Sequence, residues 1–129
     1  MAEKDVIRTD RAPGPFQGAP YNQAIRVGDL VFVAGQLGIS LDTGALAGDG
    51  VAEQTEQIMA NLGAILEAAG SGLDNLVKTT VFLMDLENFA AMNEVYARHV
   101  GDRPPARSTI EILGLPSGAL VEIEAIAHV

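Results

Sequence analysis

The 129-residue chain contains no cysteine, which removes any disulfide framework, thiol nucleophile or thiolate metal site. Basic residues are scarce: 8 Lys plus Arg stand against 17 Asp plus Glu, a formal net charge of −9. A chain this acidic, with no basic stripe, repels phosphate backbones, so nucleic acid is not an expected partner. Long apolar runs are missing as well. The longest, Leu30-Val31-Phe32-Val33-Ala34, is far too short to span a bilayer, so no membrane partner is expected. Met1-Ala2-Glu3-Lys4-Asp5 shows neither the apolar core nor the cleavage pattern of a signal peptide, and a cytoplasmic location is the default expectation. The only histidines, His99 and His128, lie far apart without metal-ligand spacing and read as surface or structural residues. Neither a Gly-x-Ser-x-Gly elbow nor a His-Glu-x-x-His pair occurs. The glycines of the polar stretch 41–50 do not open a helix directly after a strand, so the phosphate-loop and dinucleotide patterns fail too.

What remains is a chain with 48% hydrophobic and 19% charged residues, a composition that suits one domain over residues 1–129 with one core. Residues 1–20 are rich in proline and glycine and read as loop, with Val6-Ile7-Arg8 as a candidate short edge strand. Two extended pieces follow between Tyr21 and Gln36 around a turn at Val27-Gly28-Asp29. The second, Leu30 to Ala34, is apolar without alternation and is expected to be buried on both faces, ending at Gly35-Gln36. Ala52 to Ala69 is the clearest helix, with Ile58, Leu62, Ile65, Leu66 and Ala69 on one face. Leu76 to Leu83 reads as a β-branched strand, and Asp85 as the N-cap of a second helix, Leu86 to Val100, whose core stripe is Phe89, Met92, Tyr96 and Val100. After Pro104-Pro105 come two last strands, Arg107 to Ile112 and Ala119 to Val129. Right-handed crossovers between parallel neighbours place both helices on one face of the sheet. The other face then has no cover of its own, which predicts an oligomer.

The chemistry concentrates in Arg103-Pro-Pro-Ala-Arg107-Ser-Thr-Ile-Glu-Ile112. The double proline holds the chain extended and sets Arg107 at the mouth of a strand. There its planar fork can grip a carboxylate through two parallel hydrogen bonds. The competing expectation is an arginine paired with one of the many acidic side chains. Glu122 lies on the following strand, taken here as a hairpin-like or close neighbour. A guanidinium to hold a carboxylate and a glutamate to steer water or move a proton suffice for hydrolysis of an electrophilic C=N bond. Glu122 could equally just pair with Arg107 or face solvent.

Five blocks then carry a resemblance: Pro20-Tyr21-Asn22-Gln23, Ala34-Gly35-Gln36, Val77-Lys78-Thr79-Thr80-Val81-Phe82-Leu83, Pro105-Ala106-Arg107-Ser108 and Glu122-Ile123-Glu124-Ala125-Ile126-Ala127. In order and spacing, from about Ala19 to the C-terminus, they resemble the RidA (YjgF/YER057c/UK114) family. The resemblance implies a chorismate-mutase-like α+β fold, a mixed sheet of about six strands with two helices on one face, in a homotrimer with sites between subunits. It implies hydrolysis of 2-imino and 2-enamino acids, such as 2-aminoacrylate, to 2-keto acids and ammonia, without a cofactor. By the same resemblance Arg107 binds the substrate carboxylate with help from the backbone N–H of Thr109, and Glu122 orients water or assists proton transfer. Tyr21, Gly35 and Asn93 line the pocket, with packing as the plain alternative for Tyr21 and Asn93. The chain departs from common members in three places. Ala34 stands where many have serine, Thr109 stands where a cysteine is common, and the segment from Tyr96 to Pro104 is shorter. A non-catalytic trimer that binds small carboxylates is the second functional expectation. A ribonuclease, a role attributed to relatives, is a third that the charge disfavours.

Overall fold

The computed structural model describes residues 3–129; Met1 and Ala2, counted above with the domain and the N-terminal reading, lie outside it. Six strands and two α-helices follow the chain as β1 (Lys4–Ile7), β2 (Ala24–Val27), β3 (Leu30–Leu37), α1 (Val51–Ala68), β4 (Leu76–Leu83), α2 (Phe89–Val100), β5 (Ala106–Glu111) and β6 (Val121–His128). The strands form one mixed sheet in the order β1-β2-β3-β6-β4-β5, with β4 and β5 the parallel pair and every other neighbour antiparallel. This is the α+β architecture expected from the sequence.

The core forms where α1 and α2 lie on the sheet. Ile58, Leu62, Ile65 and Leu66 of α1 are fully buried against Val31, Val81, Val121, Ile123 and Ala127. Each such side chain contributes up to roughly 1.5–3 kcal/mol. α1 starts one residue before the expected Ala52. There the Gly50 N–H donates to the Glu53 carboxylate at 2.9 Å, satisfying one donor that the first helical turn leaves free. Asp85 caps as expected, accepting from the Glu87 N–H at 2.9 Å. What it caps is a 3₁₀ turn over Leu86–Asn88, and the α-helix proper begins at Phe89.

Three expectations need correction. First, β3 does not end at Gly35-Gln36: it runs to Leu37, with a bulge between Val33 and Gln36. Its burial alternates, with Val31 and Val33 inside and Leu30 and Phe32 over 40% exposed on the face away from the helices. An apolar strand without alternation in sequence thus leaves one face of this chain bare. Second, the crossover through α2 joins parallel neighbours, but the crossover through α1 does not. β6 inserts between β3 and β4, antiparallel to both. Third, β5 and β6 are not a hairpin, because β4 separates them. Local patterning carries no signal for this order. It is settled by the apolar inward row Val121, Ile123, Ala125 and Ala127 of β6, which is most fully buried at the centre of the sheet.

Candidate functional site

The register of the sheet divides the sequence-predicted site residues into two groups on opposite faces. Arg107 pairs with Thr79, a fully buried inward residue of β4, and so points to the helix side. Glu122 pairs with Phe82 and Leu37 in the alternate register and points to the bare side. Within one chain the two side chains do not meet.

The first group is built on β5 and α2. The Arg107 guanidinium lies 4.9 Å from the centroid of the Tyr96 ring and 5.5 Å from that of Phe89. A guanidinium over aromatic faces is held flat and attracted by the ring quadrupoles. Among the described residues it forms no ion pair; the salt bridges are Arg11–Glu67 and His99–Glu56. The expectation of an arginine neutralised by an acidic neighbour is therefore not met. Tyr96 is itself fixed by a 2.6 Å hydrogen bond between its hydroxyl and that of Thr79. Burial raises its pKa, while the Thr79 bond and the positive Arg107 act in the opposite direction, so the ring stays a neutral platform at neutral pH.

Asn93 follows Phe89 by four residues and precedes Tyr96 by three, so the three share one face of α2. Its Oδ1 is buried and finds no hydrogen-bond partner among the described residues, an acceptor open to a ligand. Thr109 continues the inward row of β5, the outermost strand. Because the Ile112 N–H donates inward to Leu83 at 2.9 Å, alternation turns the N–H of Thr109 to the open edge.

The second group gathers Tyr21, Gly35 and Glu122 around a cleft of about 370 Å³, with Phe16, Leu37 and Pro116 on its walls. The Tyr21 hydroxyl accepts the Phe16 N–H at 2.6 Å, which leaves its own proton to donate elsewhere. Gly35 is the point where Glu122 crosses the β3 backbone. A Cβ there would lie 2.6 Å from Glu122 Oε1, so only glycine leaves the carboxylate where it is. Burial first, and the neighbouring Glu124 second, raise the pKa of Glu122, as suits a group that takes and returns a proton.

Phe89 and Tyr96 belong to the core stripe expected from the sequence. Tyr96 is buried, but Phe89 is 43% exposed and supports Arg107 instead. The available signal was two aromatics seven residues apart on the helix directly before the arginine. His99 bridges the helices, with its Nε2 2.8 Å from Glu56, and His128 lies by the C-terminal Val129 carbonyl. No group of three or more metal-ligating side chains occurs among the described residues. None of their helices is long and apolar enough to cross a membrane.

Fold and geometry together define an α+β protein with a ring-stacked arginine, free of ion pairs among the described residues, on one face and a raised-pKa glutamate cleft on the other. The chain belongs to the RidA family: residues 11–129 match the family described as Endoribonuclease L-PSP. It is 48% identical to a RutC family protein of Pyrococcus abyssi, over 97% of each chain. It is 42% identical to the human protein named 2-iminobutanoate/2-iminopropanoate deaminase, over 95% of this chain and 88% of that one. The crystal structure of Escherichia coli TdcF with bound serine superposes with a TM-score of 0.89 at 38% identity, covering 97% of this chain and 98% of that one.

Proposed function

We propose that the protein hydrolyses reactive 2-imino and 2-enamino acids, such as 2-aminoacrylate, to 2-keto acids and ammonia. The observation that carries this reading is Arg107, a guanidinium with no carboxylate partner among the described residues, held over two rings at the mouth of an edge strand. Such an arginine is preorganised for the carboxylate of a small organic acid. The relatives named as imine deaminases and the serine held by TdcF point to the same size and class of ligand.

The chemistry needs little more than positioning, because a C=N carbon beside a carboxylate is already electrophilic. Arg107 and the outward N–H of Thr109 hold the carboxylate. The free Oδ1 of Asn93 accepts from the substrate nitrogen. Glu122 removes a proton from a water as that water adds to C2 and passes it to the nitrogen, so the C=N double bond becomes a C–NH2 and a C–OH single bond. A second proton, taken from the new hydroxyl and delivered to the nitrogen through Glu122, lets the C–N bond break and ammonia leave as the C–O bond becomes the carbonyl of the keto acid. An enamine first takes a proton on C3 to become the imine. A substrate gripped by Arg107 of one chain cannot be reached by Glu122 of the same chain on the opposite face, so the reading includes a homotrimer in which each site joins half-sites of neighbouring subunits. The bare face with Leu30 and Phe32 exposed supports such packing.

A trapping assay tests this. An amino-acid oxidase generates imines in the presence of semicarbazide, and loss of the semicarbazone signal is followed. The wild type is expected to suppress the signal and Arg107→Ala to lose most of that effect while keeping its oligomeric state. No suppression by the wild type across small, branched and aromatic imines would overturn the enzyme. Retained keto-acid binding would then favour the non-catalytic carboxylate-binding trimer. The endoribonuclease in the family's description predicts salt-dependent RNA binding, which a net charge of −9 opposes.

A further inference from the structure

A second cavity, of about 670 Å³, lies beside the Glu122 cleft and shares Phe16, Tyr21, Gly35 and Leu37 with it. It is the larger of the two and falls within the range of about 300–1,000 Å³ usual for small-ligand sites. Its far wall comes from the loop between β3 and α1, where Ile39 and Leu46 face each other in an isolated β-bridge with Ala45 alongside. Two of the side-chain amides that border it, those of Gln23 and Gln36, are engaged within the chain, and Gln17 supplies a third. Gln23 accepts from the Thr9 N–H at 2.7 Å and donates to the carbonyls of Thr9, Ala12 and Pro13. Gln36 donates to the Ala34 carbonyl. Phe16, Leu37, Ile39, Ala45 and Leu46 supply apolar wall beside these polar groups. One charged side chain lines it, the carboxylate of Asp49, and no basic side chain does so among the described residues.

We infer that this cavity is the side-chain subsite of the active site, and that it selects 2-imino acids with extended, neutral, apolar side chains while rejecting those with a second carboxylate. The inference rests on the deaminase reading. The side chain of the 2-imino acid extends from the C2 position beside Glu122, past Gly35, into the lobe. Each methylene buried there adds to transition-state binding. A dicarboxylic imine would bring a second negative charge against Asp49 with no cation to meet it.

Specificity constants for imines derived from alanine, leucine and glutamate test the inference, on wild type, Ala45→Trp and Asp49→Asn. The wild type is expected to favour the leucine-derived imine over the alanine-derived one by about 10-fold or more, with the glutamate-derived imine poorest. Ala45→Trp, which fills the lobe, is expected to abolish that preference and leave the alanine-derived rate within about twofold. Asp49→Asn should raise the glutamate-derived rate selectively. A wild type that prefers the small imine, or an Ala45→Trp variant that loses all three substrates equally, would overturn the subsite. If no imine at all is turned over, the deaminase reading fails. The lobe is then judged by calorimetric binding of 4-methyl-2-oxopentanoate against pyruvate, where equal affinity would overturn it.

Discussion

At the scale of single residues, the arginine is defined by its shape as much as its charge. Arg107→Lys keeps the positive charge but loses the planar fork and the stacking on Phe89 and Tyr96. A fall of about 10-fold or more in kcat/KM is expected in the trapping assay; a near-wild-type lysine variant would show that a point charge suffices. Gly35 constrains the glutamate in turn. Its φ is not left-handed, so alanine fits the backbone, yet the added Cβ meets Glu122 Oε1 at 2.6 Å and its Cδ at 2.8 Å. Displacing that carboxylate by a fraction of an ångström to an ångström is expected to lower kcat by up to about 100-fold, with a cooperative melt retained.

The same carboxylate leaves a mark on stability. Burial, and Glu124 after it, raise the pKa of Glu122 in the folded chain above the ordinary value of 4.5. The folded state then holds that proton more tightly than the unfolded state. The favourable contribution is complete below about pH 4.5 and is lost as pH rises through the raised value. Glu122→Gln removes the charged form altogether, so the variant is expected to melt above wild type at pH 8 and beside it at pH 4. An offset of the same size at both pH values would mean that Glu122 is solvated.

Among elements, the tightest junction is where β3 hands the chain to the loop under α1. A Cβ on Gly38 would lie 2.6 Å from the Gln54 carbonyl oxygen and 2.7 Å from the Gln54 Cα. Both are helix backbone, which cannot swing aside, so Gly38→Ala is expected to cost about 1–3 kcal/mol. Thermal denaturation that is unchanged would show that α1 can shift without penalty. Elements of this kind were legible in sequence where one residue pattern decides them. The stripe of α1 is written in the spacing of Ile58, Leu62, Ile65 and Leu66, and the β-branched run of β4 in Val77 to Val81. Their order in the sheet was not legible. The insertion of β6 between β3 and β4 depends on long-range burial that no local pattern records. The candidate site shows the same division. Arg107 stood out through the double proline before it. Phe89, sharing a helical stripe with Met92, looked like core until the sheet order brought β5 beneath it.

For the whole molecule, the placement of Arg107 and Glu122 on opposite faces makes a statement about assembly that can be tested without a crystal. If each site takes its arginine from one subunit and its glutamate from the next, then Arg107→Ala and Glu122→Gln trimers each lack one half of every site. Unfolding the two variants together at equal concentration and refolding them would scatter both subunits through mixed trimers. A site regains both groups when a Glu122→Gln subunit supplies the arginine and an Arg107→Ala subunit supplies the glutamate. Random mixing creates that arrangement at about one site in four. The refolded mixture is therefore expected to recover about a quarter of wild-type activity, from two preparations that are inactive apart. Recovery should disappear if the variants are refolded separately and only then combined, provided subunits do not exchange. A mixture that stays inactive would mean that both groups act within one chain, which the register of β4 against β5 and β6 forbids. A Glu122 that takes no part in turnover would show itself before any mixing, since Glu122→Gln assayed alone would then be active.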